Sequence, residues 1–183
     1  KLMFQKESHA IALFPGGFGT HDEGFEIMTL VQTGKSDPKP IVCLQAPGCD
    51  YWDHWNSFIT DQLLKRRLIN AEDLSLFTIV DNVEDAVTEI RTFYRRYHSL
   101  RFVGRQLAIR LKTPLSATQV KDVQQQFSDM LTEGTFEQRP SLPEEIDEPG
   151  LKDLARLTFS FNRRNAGRLR QLINHLNQLP STA

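Results

Sequence analysis

The stretch "AIALFPGGFGTHDEGFEIMTL", residues 10–30, sets the tightest limit on what this chain can fold into. A short uncharged run ends at Phe14, and Pro15, Gly16, Gly17, Phe18, Gly19 and Thr20 separate it from a helical pattern. Such a run, apolar throughout and closed by breakers, reads as a strand covered on both faces. Glycines lack a Cβ, so the connection is free to take positive φ and a ligand can come close to its amides. A helix starting here presents unpaired N–H groups and a partial positive charge, the elements of a phosphate site. The pattern is neither the Walker loop, which needs Gly-Lys-Ser/Thr, nor the Gly-x-Gly-x-x-Gly dinucleotide fingerprint. A structural reading stands beside the phosphate one. Thr20 caps the helix, Glu23 closes a capping box three residues on, and Asp22, Glu23 and Glu26 suit the helix dipole.

Two more apolar runs follow, "PIVCL" (40–44) and "LFTIV" (76–80). Helices are expected between and after the strands, at 22–33, 51–68 and 83–97. The second carries Trp52, Trp55, Phe58, Ile59 and Leu63 at helical spacing, and the third a stripe of Val83, Val87, Ile90, Tyr94 and Tyr97. Alternating strands and helices give an α/β domain over residues 1–98. Three parallel strands are few for a doubly wound sheet, so a segment N-terminal to Lys1, or another chain, is expected to complete it.

After Tyr97 the pattern changes. "RQLAIRLKT" (105–113) alternates, with Leu107, Ile109 and Leu111 on one side and Ala108, Arg110 and Lys112 on a solvated side. "SATQ" (116–119) is a capping box that opens a helix. Residues 137–150, with three prolines and an acidic cluster, read as a loop or linker. A second alternating strand (155–161) and a last helix (165–178) complete a small α+β domain over 99–183.

The net charge of −1 argues against wholesale polyanion binding, so no nucleic-acid partner is expected. It divides into −4 for residues 1–98 and +3 for 99–183. Arg163, Arg164, Arg168 and Arg170 are expected to form a basic patch facing the acidic residues 144–148 or a partner subunit. Residues 64–68 and 93–98 read as solvated helix faces, and His21 as an exposed first-turn histidine. Cys43 and Cys49 are too few for a disulfide framework and lack zinc spacing, and Cys43 reads as core. In "CDYWDHW" (49–55), Asp50 suits an N-cap and the tryptophans suit packing; no metal is expected. No apolar stretch approaches the roughly 20 residues of a membrane span, and a reduced, cytoplasmic protein is expected.

"PGGFGTHDE" resembles the Pro-Gly-Gly-x-Gly-Thr-x-x-Glu signature of the Lonely Guy family, long labelled lysine decarboxylases. The likeness runs from Lys1 to Tyr97 and includes "TLVQTGK" and "KPIVCL". It implies a Rossmann-like sheet, of which this chain holds the C-terminal portion, and a homodimer without a cofactor. It also implies an enzyme that hydrolyses the N-glycosidic bond of nucleoside 5′-monophosphates, releasing base and ribose 5-phosphate. By the same likeness Gly16, Gly17, Gly19 and Thr20 hold the phosphate, and Glu23 is the catalytic carboxylate. Glu26, one turn on and on much the same face, is expected to touch the ribose hydroxyls. The family's partner arginine aligns just before Lys1, and Phe4 stands where the family has methionine. The alternative is a non-hydrolytic carrier of a phosphorylated ligand such as a nucleotide or molybdenum cofactor. The lysine decarboxylase label would need a lysine forming a Schiff base with pyridoxal phosphate. Lys6 and Lys35, the lysines near the loop, have no supporting motif.

Overall fold

In the computed structural model, residues 6–145 and 147–180 are described. The chain forms two compact units. The first comprises residues 1–92 with 164–171, the second 93–163 with 172–183. Phe4 lies outside the described residues.

The first unit is built on a parallel sheet of order β1-β2-β3, with β1 Ile11–Leu13, β2 Ile41–Leu44 and β3 Thr78–Val80. The three apolar runs are therefore strands. Ile11 pairs with Ile41 and Leu13 with Cys43, while Val42 pairs with Thr78. Alternation sends Ile11, Leu13, Ile41 and Cys43 to one face, where they pack with Ile27 and Val31 of α1 (Phe18–Gln32) and with Trp52 and Trp55 of α2 (Tyr51–Phe58). Val42 and Leu44 take the other face, against Ala86 and Ile90 of α3 (Val83–Phe93). Burial pushes the Cys43 thiol up to about 12, as suits a core residue. Gly24 lets α1 lie close to β1, since a Cβ there would sit 3.1 Å from Leu13 Cδ1.

Several helical expectations need correction. Val83 and Val87 are exposed; of α3, Ala86 and Phe93 are buried and Ile90 half-buried. That helix stops at Phe93. The helix over 51–68 splits: α2 ends at Phe58, which is exposed, and a wider turn follows. Its bonds span five residues, as from Lys65 N–H to Thr60 C=O at 3.0 Å.

Residues 164–171 complete the first unit. Gly167 permits a close backbone approach, because a Cβ there would fall 2.4 Å from the Glu72 carbonyl oxygen. Arg170 is buried, donating to the Lys39 carbonyl at 3.0 Å and to Glu89 at 2.7 Å. It is therefore not part of an exposed basic patch.

The second unit holds an antiparallel sheet of order β4-β5-β7-β6: β4 Tyr97–Val103, β5 Gln106–Leu111, β6 Glu137–Arg139 and β7 Ala155–Phe159. Two of these strands differ from what the sequence pattern predicts, which is helix over 93–98 and loop over 137–139. Arg96, expected in solvent, is buried. It donates to Thr113 Oγ1 at 3.0 Å and to the Pro180 carbonyl at 2.8 Å. The side-chain oxygen of buried Asn177 accepts the amides of Arg96 and Tyr97, at 2.8 and 2.9 Å, and so fixes the start of β4. The capping box at Ser116 and Gln119 opens α4 (Ala117–Phe127). His175 of α5 (Ala166–Gln178) meets Asp122 of α4 at 2.7 Å.

β5 is not half-solvated. Arg110 and its cross-strand partner Arg156 are both buried, at 3% and 0% exposure, beneath the acidic loop. Glu145 lies between them, accepting from Arg110 Nε at 2.8 Å and Arg156 Nε at 3.0 Å. Glu148 also pairs with Arg110, and Arg101 with Asp147 and Glu148. The acidic residues thus face Arg101, Arg110 and Arg156 rather than the arginines near the C-terminus. Burial opposes ionisation of Glu145. Hydrogen bonds from Arg156, the Leu142 amide and Arg110 outweigh it and lower the carboxyl to about 2.

Removing one partner of such a buried network leaves an uncompensated charge, so Glu145→Gln is expected to lower stability by about 3–5 kcal/mol. Chemical denaturation measures this. A depressed folded-state pKa contributes stability above the unfolded carboxyl's range and loses it as pH falls toward about 2. The gap between wild type and Glu145→Gln should therefore be full near neutrality and shrink below about pH 4.5.

Candidate functional site

The glycine loop leaves β1 at the carboxyl end of the sheet, where open α/β sheets place their ligands. Gly17, not Thr20, is the N-cap of α1. Its carbonyl accepts the amides of Thr20 and His21 at 3.1 and 3.4 Å. The capping box expected of Thr20 and Glu23 is therefore not what starts this helix. The Thr20 amide, which that motif would give to Glu23, is taken by Gly17. Thr20 is the third helical residue and folds its side chain back over Gly16, where a Cβ would lie 2.3 Å from Thr20 Oγ1.

The glycines serve through absent side chains and not through backbone handedness. Among the described glycines positive φ falls at Gly34, Gly48, Gly104 and Gly134, none of them in this loop. A Cβ on Gly17 or Gly19 would meet nothing within 4 Å. Among the described residues nothing thus stands where a side chain at Gly17 or Gly19 would be, and the amides of Gly17, Phe18 and Gly19 have no intrahelical acceptor. These groups and the helix dipole favour an anion.

Glu23 lies one turn beyond Gly19 and Thr20 on the same side of α1, and Glu26 one turn further. Both carboxylate residues are half-buried. From Gly19 to Glu23 the axial rise is about 6 Å, the scale of one ribose. The structure thus groups Gly16, Gly17, Gly19, Thr20, Glu23 and Glu26 along the first three turns and the loop before them.

Two open clefts adjoin the loop. One, of about 550 Å³, lies at the carboxyl ends of the strands and is lined by Phe14, Pro15, Leu44, Gln45, Asp81 and Asn82 among others. Gln45 is its buried support, donating to Asp53 at 2.8 Å and Asp81 at 3.2 Å while its oxygen accepts the Trp52 amide at 2.8 Å. The other, of about 800 Å³, is aromatic, with Phe18, His21, Phe25, Tyr51, Trp55 and Phe58 in its walls. Phe18 is 96% exposed.

Sequence reading missed Tyr51 and misplaced His21. The Tyr51 hydroxyl lies 2.6 Å from the Gly16 carbonyl oxygen and 2.8 Å from His21 Nε2, so His21 is half-buried and engaged. Tyr51 sits within "CDYWDHW", whose pattern suggests packing tryptophans and an N-cap rather than a contact to the loop. Asp50 does occupy the N-cap position of α2, though its side chain makes no capping bond. Trp52 and Trp55 pack edge to face at 5.5 Å. Among the described residues no group of three or more His, Cys, Asp or Glu is placed to hold a metal.

Residues 1–90 match the family model described as "Possible lysine decarboxylase". The chain is 33% identical over 89 residues to the "Cytokinin riboside 5'-monophosphate phosphoribohydrolase" of Mycobacterium tuberculosis (strain ATCC 25618 / H37Rv). That match covers 48% of this chain and 44% of the relative, so the chain spans under half of that protein's length. Both findings support the Lonely Guy likeness of the first unit. The decarboxylase description would imply pyridoxal phosphate, but among the described residues no lysine lines either cleft, and Lys6 and Lys35 are exposed. These residues do not fit that group. Among the described residues no helix is long and apolar enough to cross a membrane.

The glycines separate by substitution. Gly16→Ala collides with Thr20 and should lower the melting temperature by several degrees, as about 1–3 kcal/mol of overpacking does. Gly19→Ala meets no atom and gains about 0.5–1 kcal/mol of helix propensity, so its melting temperature should hold or rise.

Proposed function

We propose that the first unit carries the phosphate loop and catalytic carboxylate of a Rossmann-like nucleoside 5′-monophosphate phosphoribohydrolase of the Lonely Guy family. One observation supports the reading best: bare amides at Gly17–Gly19 in open space, with the Glu23 carboxylate one turn further on the same side. The family match over residues 1–90 and the relative's printed activity point the same way.

In this reading the 5′-phosphate sits on the amides of residues 17–19, with the Thr20 hydroxyl nearby. The sugar then extends along α1 toward Glu23. Breaking the bond between C1′ and the base nitrogen builds positive charge on the ribose ring. A fixed carboxylate stabilises that charge and orients or deprotonates the attacking water. Water's oxygen bonds to C1′, the C1′–N electron pair leaves with the base, and the base takes a proton. Glu26 accepts a hydrogen bond from a ribose hydroxyl, holding C1′ near Glu23. The work of the loop is positioning, and that of Glu23 is to stabilise the ribose charge and act on the attacking water.

Assaying AMP hydrolysis in the full-length protein checks the assignment. Glu23→Gln should bind AMP within a few fold of wild type yet lose at least about 10²-fold in kcat, the scale of removing one general base. Gly19→Ala, which leaves folding intact, should weaken AMP binding by placing a methyl group against the phosphate. Equal base release by wild type and Glu23→Gln would overturn the catalytic assignment. Binding without hydrolysis by either would favour a carrier.

A further inference from the structure

The Tyr51 hydroxyl has one proton and two neighbours. Gly16 offers only a carbonyl oxygen, so Tyr51 donates there, at 2.6 Å. The 2.8 Å contact with His21 must then run from a protonated His21 Nε2 to the hydroxyl oxygen. Tyr51 is itself firmly seated. Its ring packs edge to face on Trp52 at 4.9 Å. Trp52 is buried, with Nε1 donating to the Leu44 carbonyl at 3.1 Å and its amide bonded to Gln45.

The direction of the Gly16 carbonyl matters to the site. No described peptide bond is cis, and in a planar trans peptide the C=O and the following N–H point in opposite directions. Holding the Gly16 carbonyl toward Tyr51 therefore aims the Gly17 N–H away from Tyr51. Between two glycines this peptide plane would otherwise turn with little steric hindrance. The bond also polarises the peptide and strengthens Gly17 as a donor.

We propose that Tyr51, steadied by His21, is the positioning residue of the anion cradle. It fixes the Gly16–Gly17 peptide so that the Gly17 amide is presented to the ligand's phosphoryl group before binding. The inference rests on the reading that residues 17–19 hold a phosphate. Tyr51 acts through the backbone, making affinity its signature and leaving the chemical step to Glu23. A preordered donor spares the ligand the ordering of a mobile loop.

The test is titration of the full chain with inorganic phosphate, followed by the amide NMR shifts of Gly17 and Gly19, in wild type, Tyr51→Phe and His21→Ala. AMP kinetics are run alongside. Wild type should show saturable shifts at both glycines. Tyr51→Phe, which keeps the ring and its stacking, should weaken phosphate roughly three- to tenfold, the worth of one hydrogen bond. It should raise KM for AMP by a like factor with kcat little changed. His21→Ala, which leaves the Tyr51 bond to Gly16, should lose less and serves if Tyr51→Phe misfolds by circular dichroism. Unchanged phosphate affinity in the folded variants overturns the proposal, as does the absence of phosphate shifts at Gly17 and Gly19 in wild type. Tyr51-dependent phosphate binding without any AMP hydrolysis would sustain the clamp and end the hydrolase reading.

Discussion

Thr20 Oγ1 occupies space that a Cβ on Gly16 would need, and this one close contact organises the front of the first unit. Because Gly16 yields that space, α1 begins at Phe18, directly off the end of β1, with Gly17 as its N-cap. The first turn then has amides without helical acceptors and no side chain over them at Gly17 or Gly19. The same start sets the phase of the helix. Gly24, Ile27 and Val31 turn to the sheet while Glu23 and Glu26 stay only half-buried. Packing on β1 and the presentation of charged groups at the sheet's carboxyl end are thus two consequences of one helix phase.

What the chain reveals in its sequence follows the range of the interactions involved. The three parallel strands are legible as short apolar runs closed by breakers, but only Ile41–Leu44 in "PIVCL" is buried on both faces, since Ala12 of β1 is exposed and β3 is half-buried. The Ser116–Gln119 capping box was legible because both partners lie within four residues. Thr20 and Glu23 have the same spacing and misled. The glycines before them let the helix start earlier, which no propensity rule for Thr or Glu registers. Within the candidate site the loop residues and Glu23 were visible as a motif, whereas Tyr51 reaches Gly16 across 35 positions. Likewise Asn177, which fixes the start of β4, acts over 81 positions on Arg96, so "FYRRYH" kept its helical look.

The second unit shows why alternation alone misjudges a strand's environment. The alternation predicts a solvated side of Ala108, Arg110 and Lys112, and Lys112 is exposed. Arg110 and Arg156 lie buried because the acidic loop brings its own carboxylates to them, 35 positions from Arg110 in the case of Glu145. A buried guanidinium is tolerable only when its charge and donors are met, and removal of a partner is far costlier than the pair's net worth. The same cationic surroundings bear on His98. Burial first, and then Lys112, Arg110 and Arg156, hold its imidazole below the ordinary range. The charges of this face are thus met by carboxylates of the unit's own loop.

The central claim is that main-chain amides at residues 17–19 grasp a nucleotide's phosphoryl group, with its sugar laid toward Glu23. A crystal structure of the full-length protein with bound AMP tests it most directly. Phosphate oxygens about 2.9 Å from the amide nitrogens of this turn, with C1′ facing Glu23, are the expected result. AMP bound elsewhere, or a first turn closed off by packed side chains with no ligand against it, would contradict it.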